Sequence, residues 1–169
     1  MTIVKYRSAL LVLACAAIAS CSNSTTTREP RPDRADNFGS FNGAKIDVLA
    51  EGGFAALALH HAVSHDDRAY VYTNRHLCGQ SCGAPLDSAS GTLSPSAADS
   101  LFNIVLAQDP FSLKDDYGTT RGGADMFAYT LRVTAEGRTK TIKFDDGTAP
   151  DAARTILQAV QGIVAAARH

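Results

Sequence analysis

After residue 44 the chain consists largely of short segments in which apolar and polar residues alternate. Such alternation is typical of β-strands that bury one face. Phe54–Ser64 is apolar on both faces, so its composition also permits a helix. We expect a strand there, because the polar segment His65–Arg68 leads as a turn into β-branched and aromatic residues. The predicted strands are Lys45–Ala50, Phe54–Ser64, Ala69–Thr73, Asp125–Thr134 and Arg138–Phe144.

Two other segments repeat their apolar residues with a helical period. The first is predicted to begin at Ser94 as N-cap, with Pro95 in its first turn, and to end at Asp109-Pro110. The second is predicted to begin at Thr148, with Asp151 completing a pair that resembles a capping box. The predicted buried stripes are Ala98, Leu101, Ile104, Val105 and Gln108 in the first helix and Ile156, Val160, Ile163, Val164 and Ala167 in the second.

The order of these elements is β-β-β-α-β-β-α. Residues 74–90 are predicted to form a long loop, with a brief return to strand left open at residues 91–93. We therefore predict an α+β fold, with an antiparallel sheet of about five strands and two helices packed on one face.

The first residues of the chain resemble a bacterial lipoprotein signal. Lys5 and Arg7 precede an apolar run that is too short for a permanent membrane span and that ends in Ile18-Ala19-Ser20-Cys21. The resemblance implies cleavage before Cys21 and lipidation of Cys21. Ser22 in place of Asp favours the outer membrane, facing the periplasm. The alternative is an ordinary secretory signal with a chance cysteine.

The polar residues after Cys21 predict a flexible tether, because they include Pro30 and Pro32 among charges and lack an apolar period. The expected organisation is a signal peptide over 1–20, a tether over 21–44 and a single domain over 45–169. Removal of the signal takes away two basic residues and no acidic ones from a chain with 16 basic and 17 acidic residues. An acidic product of this kind argues against a nucleic-acid partner.

Cys78 and Cys82 are the cysteines of the predicted domain, in a loop that contains Gly79 and Gly83. In an oxidising compartment we expect a disulfide between them. A redox-active pair is the alternative, but thioredoxin-type sites have two intervening residues and a following helix.

No motif in the chain is typical of catalysis. There is neither a Gly-x-Ser-x-Gly elbow nor a glycine-rich phosphate loop. His60 and His61 would point to opposite faces of a strand, so they could not both join a metal site with His65 and Asp67. We predict no enzyme activity, no cofactor and no metal site.

Four short motifs follow one another along the chain. They are Gly52-Gly53-Phe54-Ala55, the Ser-Pro cap of the first helix, Phe127-Ala128-Tyr129-Thr130-Leu131 and Asp146-Gly147-Thr148-Ala149-Pro150. Their order resembles emfourin, a family of small bacterial inhibitors of thermolysin-type metallopeptidases. The resemblance covers about Ala44 to Ala167 and implies a non-catalytic, protealysin-inhibitor-like domain. The membrane anchor and the Cys78–Cys82 loop depart from the family pattern.

These observations predict an envelope-anchored lipoprotein with a protein-binding domain of unknown partner, and inhibition of a thermolysin-type metallopeptidase is the alternative. Binding to a protease cleft needs a protruding segment at a strand end. The turn after the second strand and the cysteine loop meet this condition. The predicted partner-binding residues are His65, Asp66, Asp67 and His76.

Overall fold

The computed structural model describes residues 41–77, 84–121 and 125–169. They form a six-stranded antiparallel sheet and two α-helices. The elements are β1 Lys45–Gly52, β2 Leu57–Ser64, β3 Ala69–His76, β4 Asp87–Thr92, α1 Pro95–Ala107, a short 3₁₀ helix Pro110–Ser112, β5 Phe127–Ala135, β6 Arg138–Asp145 and α2 Asp151–Ala167. The strand order in the sheet is β4-β3-β2-β1-β5-β6. Within the described residues, neither helix is long and apolar enough to span a bilayer.

Both helices cover one face of the sheet, and the core lies between them and that face. Alternate strand residues point into this core because successive side chains on a strand point to opposite faces. The helices contribute residues spaced by three and four, which share one side of a helix. The core includes Ile46 and Val48 of β1, Leu131 and Val133 of β5, Ile142 and Phe144 of β6, Leu101, Phe102 and Val105 of α1, and Ile156, Val160 and Val164 of α2.

The strand register places the turns between strands at two opposite ends of the sheet. Gly52 pairs with Leu57 and Phe127, and Leu57 pairs with His76. We call this the Phe54 end, because the turn between β1 and β2 contains Phe54. The opposite end, which we call the His65 end, carries the turn between β2 and β3.

The predicted α+β class, with two helices and an antiparallel sheet, is confirmed, and the sheet gains one strand. The additional strand is β4, Asp87–Thr92. The sequence pattern predicts a loop there, with a return to strand left open only at residues 91–93. β4 pairs along β3, which itself extends to His76 rather than ending at Thr73. Its small polar residues lack the alternation that marks a half-buried strand, so pairing with β3 decides its conformation.

The start predicted for β2 at Phe54 was wrong. The strand begins at Leu57, because residues 53–56 form a turn in which Gly53 and Ala56 have φ values of 69° and 47°. The left-handed backbone at Gly53 and Ala56 departs from the extended conformation of a strand, so the strand can begin only after the turn.

The structure also corrects both helices in part. Phe102 is fully buried, whereas Ile104, assigned to the buried stripe, is 41% exposed. Ser94 is the N-cap of α1 as predicted, and its hydroxyl accepts from the Ala97 N–H. In contrast, the N-cap of α2 is Pro150, and Thr148 bonds to Asp145 instead. Ala167 is exposed, and Ala153 is buried in the stripe.

Candidate functional site

Large apolar side chains are exposed to solvent at the Phe54 end of the sheet. Phe54 is 92% exposed, Leu86 55% and Leu77 40%. Leu77 directly follows β3, and its N–H donates to the Ala56 carbonyl in the Phe54 turn. Exposed apolar side chains that occur together mark protein-binding surfaces more often than single ones do. We call these three residues the apolar rim.

The turn that carries Phe54 depends on two glycines. Gly52 and Gly53 have φ values of 134° and 69°, which favour glycine. A Cβ at Gly52 would lie 2.4 Å from the Met126 carbonyl oxygen, and one at Gly53 would lie 2.9 Å from the Phe127 ring. The turn therefore packs directly on the start of β5, and Phe54 projects away from it.

Hydrogen bonds fix both sides of this turn. The Gly53 N–H donates to the Met126 carbonyl at 3.1 Å, and the Phe54 N–H donates to Asp125 Oδ1 at 2.6 Å. The Ala56 N–H closes the turn by donating to the Gly53 carbonyl at 3.0 Å. The turn is thus held in one shape while the Phe54 side chain stays in solvent.

Asp146 joins the start of β5 to the end of β6 beside the turn. Its carboxylate accepts from the Phe127 N–H and from the Tyr129 hydroxyl, both at 2.8 Å. Burial of the Tyr129 ring, followed by this hydrogen bond, raises the pKa of the phenol. The hydroxyl therefore stays a donor, and Tyr129 stacks on Phe144 with ring centroids 5.1 Å apart.

Asp145 is a buried carboxylate that organises the loop into α2. It accepts from the N–H and hydroxyl groups of Thr120 and Thr148 and from the Gly147 N–H. The Thr120 N–H is the largest cause among several donors that lower the pKa of Asp145 to about 2. The network fixes the loop that borders the Phe54 end.

Three predicted partner-binding residues lie at the opposite end of the sheet. His65 Nε2 lies 2.9 Å from Asp99 Oδ1, and its ring packs against both Phe41 and Phe102. Asp66 accepts from the Gly43 N–H, and Asp67 accepts from the Ala69 N–H. The Asp66 contact joins the turn to the residues just before β1, and the His65 contact joins it to α1.

The fourth predicted residue, His76, lies at the Phe54 end. Its Nδ1 is 3.4 Å from the Ala55 carbonyl oxygen, so it borders the Phe54 turn. The structure therefore separates His76 from the other three by the length of the β2–β3 hairpin. The predictions for Cys21, Cys78 and Cys82 concern positions outside the described residues.

The two histidines of β2, His60 and His61, are on opposite faces of the strand, as the strand pattern predicts. His60 Nε2 lies 3.0 Å from Asp47 Oδ2 on the face without helices. His61 is buried against Tyr72, and burial, then His60 and Arg168, lowers its pKa to about 4. Over the described ranges, no group of three His, Cys, Asp or Glu side chains could hold a metal ion.

The second half of the chain is similar to a known protein family. Residues 82–161 match the Emfourin family model. The chain contains an emfourin-like domain. The match spans β4, α1, the 3₁₀ helix, β5, β6 and most of α2. Emfourin is an inhibitor-type family rather than a catalytic one. A comparison with curated proteins finds no match to the chain.

Three of the four motifs that suggested the family lie within the matched residues, and Gly52-Gly53-Phe54-Ala55 lies before them. Sequence reasoning placed Phe54 inside a strand and therefore missed its exposure. The Gly-Gly pair before it was the available signal, because adjacent glycines favour a turn. Leu86 was missed because it was assigned to a loop without a defined position.

Proposed function

We propose that the emfourin-like domain inhibits a thermolysin-type metallopeptidase by inserting the Phe54 turn into the substrate cleft. The family match supports inhibition as the activity. The observation that carries the proposal is the 92% exposure of Phe54 on a turn that is held from both sides.

An apolar side-chain pocket in a protease cleft would remove Phe54 from water. Complete burial of a phenylalanine side chain contributes roughly 1.5–3 kcal/mol. The turn is already ordered, so binding would cost little conformational entropy there. Leu77 and Leu86 would extend the apolar contact around the anchor.

The closed shape of the turn explains how the segment would resist cleavage. Gly53 and Ala56 have positive φ values, and the Ala56 N–H bonds back to the Gly53 carbonyl. This geometry differs from the extended backbone that a protease cleft holds during hydrolysis. Contacts to β5 would also keep the two ends together after a cut.

We infer that the domain acts from the outer membrane, facing the periplasm, through a lipid on Cys21. The support is the Lys5 and Arg7 pair, the short apolar run and the small residues before Cys21. The polar tether would allow the domain to reach a peptidase in the envelope.

The decisive test is a titration of residues 22–169, wild type or Phe54→Ala, into an assay of a thermolysin-type peptidase. We expect stoichiometric inhibition by the wild type. For the variant we expect inhibition weaker by roughly tenfold or more, because an interface anchor typically carries over about 2 kcal/mol.

Ile104→Ala is the matched control, since Ile104 is also an exposed large apolar residue but lies on α1. It should inhibit like the wild type. Equal inhibition by Phe54→Ala and the wild type would exclude the Phe54 turn as the anchor. Failure of the wild type against thermolysin-type peptidases, with the domain itself digested, would leave a binding lipoprotein with another partner.

A further inference from the structure

We infer that the outer edge of β4 binds the same edge of a second copy of this chain, which joins two sheets into one. In the described part of the chain, β4 ends the sheet on one side and β6 ends it on the other. The two edges differ in how their free backbone groups are protected, and this difference carries the inference.

The β6 edge has two features that prevent pairing with another strand. The segment at Asp115–Tyr117 covers part of it, because the Lys143 N–H donates to the Asp115 carbonyl and the Tyr117 N–H donates to the Lys143 carbonyl. The strand also carries Arg138, Lys140 and Lys143. Covering segments and lysines are the usual means of blocking a sheet edge.

The β4 edge has neither kind of protection among the described residues. Its sequence is Asp-Ser-Ala-Ser-Gly-Thr, and five of these six residues are exposed. The one charged side chain, Asp87, is paired with Arg168. An exposed edge with free backbone groups and no unpaired charge is a template for another strand.

The register of β4 against β3 shows which backbone N–H and C=O groups of β4 do not bond to β3. The Leu93 N–H donates to the Arg68 carbonyl, so the odd-numbered residues of β4 bond to β3. The backbone groups of Ser88, Ser90 and Thr92 consequently point away from the sheet.

These three residues can pair with the same three residues of a second copy, related by a two-fold axis at Ser90. Antiparallel pairing places Ser90 opposite Ser90 of the partner subunit and Ser88 opposite Thr92 of the partner subunit. Each pair exchanges two backbone hydrogen bonds, and paired hydroxyl side chains are favourable neighbours across strands. On the helix-covered face, Ala89 and Gly91 are small enough to let the two edges approach.

The test measures the protein mass of the full-length chain in mild detergent, using light scattering that separates protein from detergent. We expect a dimer for the wild type. Ser90→Lys and Ser90→Asp should each weaken dimerisation at least about tenfold, because two like charges would meet at the axis. An equimolar mixture of the two variants should recover the dimer, because opposite charges then face each other.

Two controls separate this edge from other surfaces. Thr141→Lys adds the same charge to β6 and should leave the dimer intact, as should Phe54→Ala at the other proposed contact. A monomeric wild type would overturn the proposal and would leave the edge for an extended segment of another protein. A dimer that persists in Ser90→Lys, or a mixture that stays monomeric, would also overturn it.

Discussion

At the scale of single residues, the shape of the Phe54 turn depends on Gly52. Gly52→Ala should lower the free energy of unfolding by about 1–3 kcal/mol, because it combines an unfavourable φ with a Cβ that meets the Met126 carbonyl oxygen. Gly162→Ala is the control, since no atom lies within 4 Å of a Cβ there. In the middle of α2 it should instead stabilise by about 0.5–1 kcal/mol. Urea unfolding measures both, and equal effects would contradict the proposed strain.

Asp145 gives a residue-scale prediction about pH. Its folded-state pKa of about 2 is below its ordinary value of 3.8, so the unfolded chain binds more protons between these values. The stability that Asp145 provides should be complete above about pH 4 and should be lost as the pH falls through about 2.

Asp145→Asn should therefore unfold at a lower temperature than the wild type at neutral pH. This difference in unfolding temperature should become smaller below about pH 4. Thermal unfolding across this range provides the measurement. A difference in unfolding temperature that stays constant with pH would show that the charge of Asp145 is not the stabilising feature.

At the scale of elements, α1 packs through Phe102 rather than Ile104. Phe102→Ala should cost about 3–5 kcal/mol, because it removes a fully buried ring from between the sheet and the helices. Ile104→Ala should cost about 1 kcal/mol or less, because its side chain remains in contact with water. Urea unfolding of both variants distinguishes the observed helix face from the predicted one, and the reverse order would contradict the structure.

At the scale of the whole molecule, the proposed location depends on one atom, the sulfur of Cys21. Cys21→Ala should abolish incorporation of radiolabelled palmitate and release the protein from the membrane fraction. Cys15→Ala is the control, because Cys15 lies within the apolar run and should not be lipidated. Unchanged labelling of the Cys21 variant would exclude the lipoprotein interpretation.

Local patterns in the sequence determined much of the fold. The alternation in β5 and β6 predicted two strands to within a few residues, because a buried face imposes a period of two. Ser94-Pro95 predicted the start of α1 because the cap contacts are local. The same local motifs resemble emfourin, and residues 82–161 match the model of that family.

The tertiary structure alone decided the features that depend on distant partners. β4 is a strand because β3 pairs with it, although its own residues resemble a loop. Thr148 bonds to Asp145 rather than capping α2, because Asp145 is a buried carboxylate whose donors also include Thr120, 25 positions before it along the chain. Phe54 is exposed because Gly52 and Gly53 close a turn against β5, a contact between residues more than seventy positions apart along the chain. The separation of His76 from His65 follows from the length of β3, which extends to His76 because it pairs with β2 as far as Leu57.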